Sequence, residues 1–225
     1  MTDALETRVE TLEDQVRKLS TLLDIEQIKN LQRIYGFYLE HWMYDEIVDC
    51  FADGPDVYMD FFPGGKYLGK DGVKRYFKHF SGPNPEFLHQ IMQLSPVIHV
   101  DEGGKTARGR WYGYGPLAIP VGKGVLESVH SGTYEMEYIK EDDIWKIKVF
   151  RWKLNYISYP GKGFVSPERT GAVDPDVKLT GPEPDTPRKD YECRYPSGYI
   201  FPFHYNHPVT GKKTSEEENN KALKG

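Results

Sequence analysis

Five side chains in this sequence are of types, and in settings, that suit proton transfer without a cofactor. His89 directly follows Leu88 at the start of a strand-like run. Its imidazole titrates near neutral pH and can take or give a proton; the alternative is a structural histidine hydrogen-bonded within a sheet. Tyr35 can donate a hydrogen bond to a leaving oxygen, and Glu40, five residues on, can orient a histidine or act as a base where water is excluded. Both can equally be ordinary helix residues, one in the core and one exposed. Asp60 lies in Tyr58-Met59-Asp60-Phe61-Phe62, apolar on both sides, where a carboxylate is costly to bury unless paired or functional. A solvent-facing Asp before a turn would read the same. Arg151 follows Trp145, Ile147 and Val149 at a period of two, so if those three face the interior the guanidinium joins them and can bind a phenolate or carboxylate.

Candidate walls for a flat ligand are Trp42, Tyr58, Tyr67, Trp111 and Tyr112, and His130 is a further polar contact. Alternation puts Arg108 and Arg110 on one face of their strand and Ala107, Gly109 and Trp111 on the other, and the arginines are expected on the outer face. Other patterns are poorer. His41 with Asp45, and His204 with His207, do not supply three convergent ligands, so no metal is expected. No glycine-rich phosphate loop opens a helix and no Gly-x-Ser-x-Gly elbow occurs, so nucleotide-dependent and covalent chemistry are disfavoured and no cofactor is expected.

Composition narrows the function further. The 225 residues hold 29 Lys and Arg against 34 Asp and Glu, a formal charge of -5 that gives no general attraction to nucleic acid. Cys50 and Cys193 have neither disulfide-framework nor zinc spacing, and the first thirty residues carry charge throughout without an apolar run. A cytoplasmic protein with reduced thiols and no membrane association is expected. Sixteen Tyr, eleven Phe and four Trp exceed the needs of a core, and a pocket for a flat small molecule would use the surplus.

The elements that must position these residues follow from periodicity. Leu5, Val9, Leu12, Val16, Leu19 and Leu23 alternate steps of four and three, a heptad seam over residues 1–23 that predicts a homo-oligomer, dimer or trimer, or else a helix lying on its own domain. Asp24 is placed to cap a second helix carrying Ile25, Ile28, Leu31, Tyr35, Tyr38, Leu39 and Trp42, with a shorter helix over residues 44–52. Residues 57–62 and 66–68 predict a hairpin through Pro63-Gly64-Gly65, and residues 70–80 a helix with Val73, Tyr76, Phe77 and Phe80 inward. Four long strands follow, over 88–100, 106–117, 125–139 and 144–159. Helices first and a meander afterwards predict an α+β domain over 24–159, a curled antiparallel sheet cradling the helices, and not a doubly wound nucleotide fold. Residues 160–225 hold nine of the sixteen prolines and read as an irregular tail. Phe164, Tyr191, Tyr195, Tyr199, Phe201, Phe203 and Tyr205 within it predict packing against the chain's own domain or a neighbouring subunit.

Four phrases, residues 24–35, Gly65 to Gly72, Lys105 to Trp111, and Tyr134 to Tyr138 with Trp145 to Ile147, resemble in kind and order the SnoaL-like branch of the nuclear transport factor 2-like superfamily, over roughly residues 20–158. The resemblance implies a conical half-barrel with a pocket at its open end, closed by the N-terminal helices, and a convex sheet face available for oligomerisation. Similar members include bile acid 7α-dehydratase, scytalone dehydratase, polyketide cyclases, ketosteroid isomerase and lyases of lignin-derived diaryl compounds, while others only bind. It implies that His89 is the general base or acid. Tyr35 and Glu40 match a tyrosine and an aspartate of the bile acid enzyme, with Glu in place of Asp.

The function expected is therefore a cofactor-independent acid–base lyase for a hydroxylated aromatic, through dehydration or formaldehyde loss, for example from a lignin-derived diarylpropane. A non-catalytic aromatic-binding module and a keto-enol or steroid-type isomerase, with Asp60 or Glu40 shuttling a proton, are the alternatives.

Overall fold

A computed structural model of the chain describes residues 2–61, 64–80, 84–121, 123–161, 182–187 and 203–213. In chain order the elements are α1 (Thr2–Glu40), α2 (Tyr44–Asp49), β1 (Tyr58–Phe61), β2 (Gly65–Leu68), α3 (Gly69–Lys78), β3 (Leu88–His89), β4 (Met92–Val100), β5 (Thr106–Val121), β6 (Gly124–Glu141), β7 (Ile144–Ser158) and β8 (Thr186–Pro187). The predicted break at Asp24 does not occur. No Gly or Pro interrupts the helical pattern there, so one helix runs from Thr2 to Glu40, and the Asp24 carboxylate accepts hydrogen bonds from Lys140 Nζ (2.8 Å) and Trp145 Nε1 (2.9 Å) instead of capping. From that point inward the stripe Ile28, Tyr35 and Leu39 is buried against the sheet.

The strands form one sheet in the order β3-β5-β6-β7-β1-β2-β8, with β4 also paired to β5; pairing is antiparallel except between β1 and β7. The first predicted long strand is split into β3 and β4 because Pro116, opposite the gap, has no N–H to complete the ladder. Gln90 N still donates to Pro116 O.

Three register shifts curl the sheet around the helices. One lies at Ser95-Pro96 in β4, where Ser95 has φ of 47°, and two lie in β7, where the pairing with β6 skips Lys148 and Asn155. The shift at Lys148 has a consequence for function. Trp145 and Ile147 point into the core, and beyond the extra residue the inward positions become Phe150, Trp152 and Leu154. A single inserted residue reverses every later side chain, so Arg151 emerges on the convex face, and the expectation that it would share a face with Trp145 and Ile147 is overturned.

The concave face is closed by the docked half of α1 and by α3, which buries Val73, Tyr76 and Phe77. Aromatic rings fill the space between: Tyr35 and Tyr134 both pack on Phe150, at 5.5 and 5.3 Å between ring centroids, and Tyr134 on Trp152 at 4.4 Å. Gly113 and Gly132 lie under the Trp152 ring, which occupies the place a Cβ would take at either position.

Two described pieces of the tail lie on the domain. β8 pairs with β2, and Asp185 accepts from Leu68 N and from Arg75. Residues 203–213 lie over the convex face, where His204 Nδ1 is 2.6 Å from Glu135 Oε1 and Phe203 covers the Arg110 guanidinium. The predicted turn at Pro63 and the expectations for Phe164, Tyr191, Tyr195, Tyr199 and Phe201 fall outside the described residues. Among the described residues no helix is long and apolar enough to cross a membrane.

Candidate active site

The face of each strand decides which side chains can meet a ligand inside the half-barrel. Trp111, Tyr134 and Trp152 are core residues, so along β5 and β6 the residues in phase with them, Gly113, Gly115 and Leu117, and Gly132, His130 and Ser128, share the concave face. β3 places His89 opposite Leu117 and thus on that same face. Two imidazoles that lie 41 positions apart in sequence thereby share the concave face, on β3 and β6 with β5 between them. Ser128 Oγ lies 3.0 Å from His130 Nε2 and 3.4 Å from Leu117 O.

Both rings are held in their neutral form. Desolvation pushes His89 down to about 4, and desolvation together with the charge of His89 pushes His130 down to about 3. An imidazole in this state is a free base throughout the physiological range. The His89 ring also packs against Phe87, at 5.8 Å between centroids, which fixes its plane.

Glu40, at the end of α1, accepts a hydrogen bond of 2.6 Å from Gln90 Nε2. The helix therefore grips the residue next to His89 and not the imidazole itself. This is the last of three polar anchors along the docked face of α1, at Asp24, Gln32 and Glu40. The middle one lies in a buried chain of hydrogen bonds: Trp111 Nε1 donates to Tyr138 Oη (3.0 Å), Tyr138 Oη to Gln32 Oε1 (2.8 Å) and Gln32 Nε2 to Gln93 Oε1 (3.0 Å). Gln93 Nε2 donates to Tyr134 Oη at 3.3 Å and to Ile91 O at 2.8 Å. Burial raises Tyr35 well above its ordinary range and raises Tyr134 and Tyr138 as well, so these hydroxyls keep their protons and can serve as hydrogen-bond donors.

A cleft of about 400 Å³ lies at the far ends of β5, β6 and β7; Leu88, Pro116, Ala118, Glu127 and Val129 line it from the convex side of the strands, and of the concave set only Leu117 and Ser128 reach it. That volume suits a small molecule. Neither imidazole lines this cleft; Ser128, whose Oγ lies 3.0 Å from His130 Nε2, is the polar residue shared between its wall and the concave face.

The remaining predicted residues are distributed differently. Tyr58 and Asp60 are on the convex face, paired in register with Val149 and Arg151. There Arg151 donates to Tyr58 Oη and to Glu137 Oε1 at 2.6 Å each, and Arg108 and Arg110 share that outer face with Glu135. Tyr112 is on the same side and 58% exposed. Tyr67 is buried against Tyr76 and donates to Pro182 O, and Trp111 is buried at the narrow end beneath Tyr138. Trp42 lies at the bend between α1 and α2 with φ of 56°, its indole N–H buried without a partner among the described residues. Thus His89, His130, Tyr35 and Glu40 belong to the concave side, and Asp60, Arg151, Tyr58 and Tyr112 do not. Among the described residues no three His, Cys, Asp or Glu side chains are grouped to hold a metal ion.

Residues 20–151 match the sequence profile of the SnoaL-like domain. The chain belongs to the SnoaL-like family. Its fold is that of the wider nuclear transport factor 2-like group. A crystallised candidate scytalone dehydratase from Novosphingobium aromaticivorans aligns over 76% of this chain and 99% of its own length, with 14% identity and a TM-score of 0.52. A candidate aromatic ring hydroxylase from the same organism aligns over 61% and 94%, with 20% identity and a TM-score of 0.51. The protein LinA aligns over 68% and 98%, with 15% identity and a TM-score of 0.50. Identities this low establish the shared fold and leave the chemistry to the site.

Within this SnoaL-like site, sequence reasoning missed Gln32, Gln90, Gln93, Tyr134, Tyr138 and Ser128. One signal was available for Gln32. It stands on the otherwise apolar stripe of α1, where a polar residue must have a buried partner.

Proposed function

We propose that this chain is a cofactor-independent acid–base lyase acting on a hydroxylated aromatic small molecule. The observation that carries the reading is the pair of neutral imidazoles, His89 and His130, on the concave face of the half-barrel. In the proposed reaction His89 takes a proton from the substrate, the electron pair of the broken bond forms a double bond, and the imidazolium so formed returns its proton to the departing hydroxyl, which leaves as water. His130, oriented by Ser128, is the group assigned to hydrogen-bond the departing oxygen.

The finer proposal concerns the substrate. A para-phenol would let the ring absorb charge as the hydroxyl departs, giving a quinone methide. If His89 then removes the proton of a neighbouring hydroxymethyl O–H, the carbon–carbon bond breaks and formaldehyde leaves. A lignin-derived diarylpropane has all of these groups and would lose water and formaldehyde to give a stilbene. The name of the structural relative from N. aromaticivorans, a candidate scytalone dehydratase, is consistent with an elimination.

Incubation with a panel of diarylpropanes, phenylcoumarans and hydroxysteroids, followed by mass spectrometry, tests the reading. Loss of water, alone or with formaldehyde, is expected from a phenolic member of the panel. An isomerised product of unchanged mass, or binding of every compound without conversion, would overturn it.

A further inference from the structure

The 39-residue helix α1 has two halves with different surroundings. From Asp24 onward its apolar stripe is sealed against the sheet, with Ile28 at 0% and Leu39 at 3% exposure. Before Asp24 the stripe is bare: Leu5, Val9, Leu12, Val16, Leu19 and Leu23 are each between 45 and 65% exposed. Six regularly spaced aliphatic side chains on a helix of about 33 Å are a costly surface to leave in water.

From this seam we infer that residues 2–23 pair with the same residues of a second copy as a parallel, in-register, two-stranded coiled coil. The order of the side chains selects this partner. With steps of four and three, Val9, Val16 and Leu23 take the a positions and Leu5, Leu12 and Leu19 the d positions; β-branched valine at two of the three a positions, with leucine at every d, favours two parallel strands. The flanking charges agree. Arg8 falls at g and Glu13 at the following e, so a parallel pair places each Arg8 beside Glu13 of the partner subunit, twice by symmetry. An antiparallel arrangement loses both contacts. The positions facing away are occupied with pairs inside one helix, Asp14 with Arg17 and Asp14 with Lys18.

Three heptads are short for an isolated coil, because an isolated helix must first be nucleated. Here residues 24–40 are already helical and anchored through Asp24 to Lys140 and Trp145, so the free half propagates from a formed helix. The surface is independent of the proposed reaction, and so is its test.

The full chain is examined by sedimentation equilibrium over a wide concentration range. A mass of twice 26.0 kDa is expected. L12E should weaken dimerisation by more than about 100-fold. R8E should weaken it by about 5- to 10-fold, and R8E/E13R should restore it. Oxidised V16C should give a disulfide joining residue 16 of the two copies, identified by peptide mass. A wild-type chain that stays monomeric, a trimeric mass, an oligomer unaffected by L12E, or failure of V16C to cross-link the dimer would each overturn the proposal.

Discussion

Replacing His89 by glutamine should change how stability depends on pH more than it changes stability at neutral pH. The ordinary imidazole value of 6.5 applies to the unfolded chain, and burial lowers the folded value to about 4. Between these values the unfolded chain binds a proton that the folded chain refuses, so acidification favours unfolding. The contribution of His89 is complete above pH 6.5, declines as pH falls, and levels off below about pH 4. Linkage across that window gives a loss of about 2 kcal/mol between pH 7.5 and pH 5 for a fully desolvated ring, and about 1 kcal/mol once solvent at the half-buried edge is allowed for. Urea unfolding at a series of pH values measures this directly. The wild type should lose about 1 to 2 kcal/mol more than H89Q across the interval, whatever the offset between them at pH 7.5. Parallel pH profiles for the two proteins would refute the placement of His89 in a desolvated mouth.

Asp24→Ala should cost about 2 to 3 kcal/mol in urea unfolding, because it leaves Lys140 and the Trp145 indole without their shared acceptor at a site where Asp24 is 6% exposed. Gly132→Ala should cost about 3 kcal/mol and shift tryptophan fluorescence, since the new methyl must displace both the Trp152 ring and the backbone carbonyl of Lys153. Arg151→Gln should leave kcat/KM within about threefold of wild type while lowering the thermal midpoint slightly, because its guanidinium serves Glu137 and Tyr58 on the convex face.

The order of elements and the α+β class were legible in the sequence because period-two and helical patterns are local, and turn residues separate them clearly. What was not legible follows from events that local patterns do not encode. The extra residue at Lys148 has no distinguishing side chain, yet it reverses the face of Arg151. The continuity of α1 through Asp24 was hidden because a capping residue and a buried acceptor look alike until Lys140 and Trp145 are brought beside it. His89 was legible as chemistry; that it shares a face with His130 required the registers β3 to β5 and β5 to β6. The aromatic surplus was a weak guide to the pocket. Tyr58 and Tyr112 lie on the convex face and Tyr67 and Trp111 are buried structural rings, so much of the surplus builds the half-barrel.

The central claim is that a neutral His89 removes the substrate proton. The most direct measurement is single-turnover conversion of a phenolic diarylpropane by wild type and by H89Q, with circular dichroism confirming that both are folded. The account predicts a rate lower by about 100-fold or more in H89Q, with ligand affinity little changed. Conversion by H89Q at the wild-type rate would contradict it.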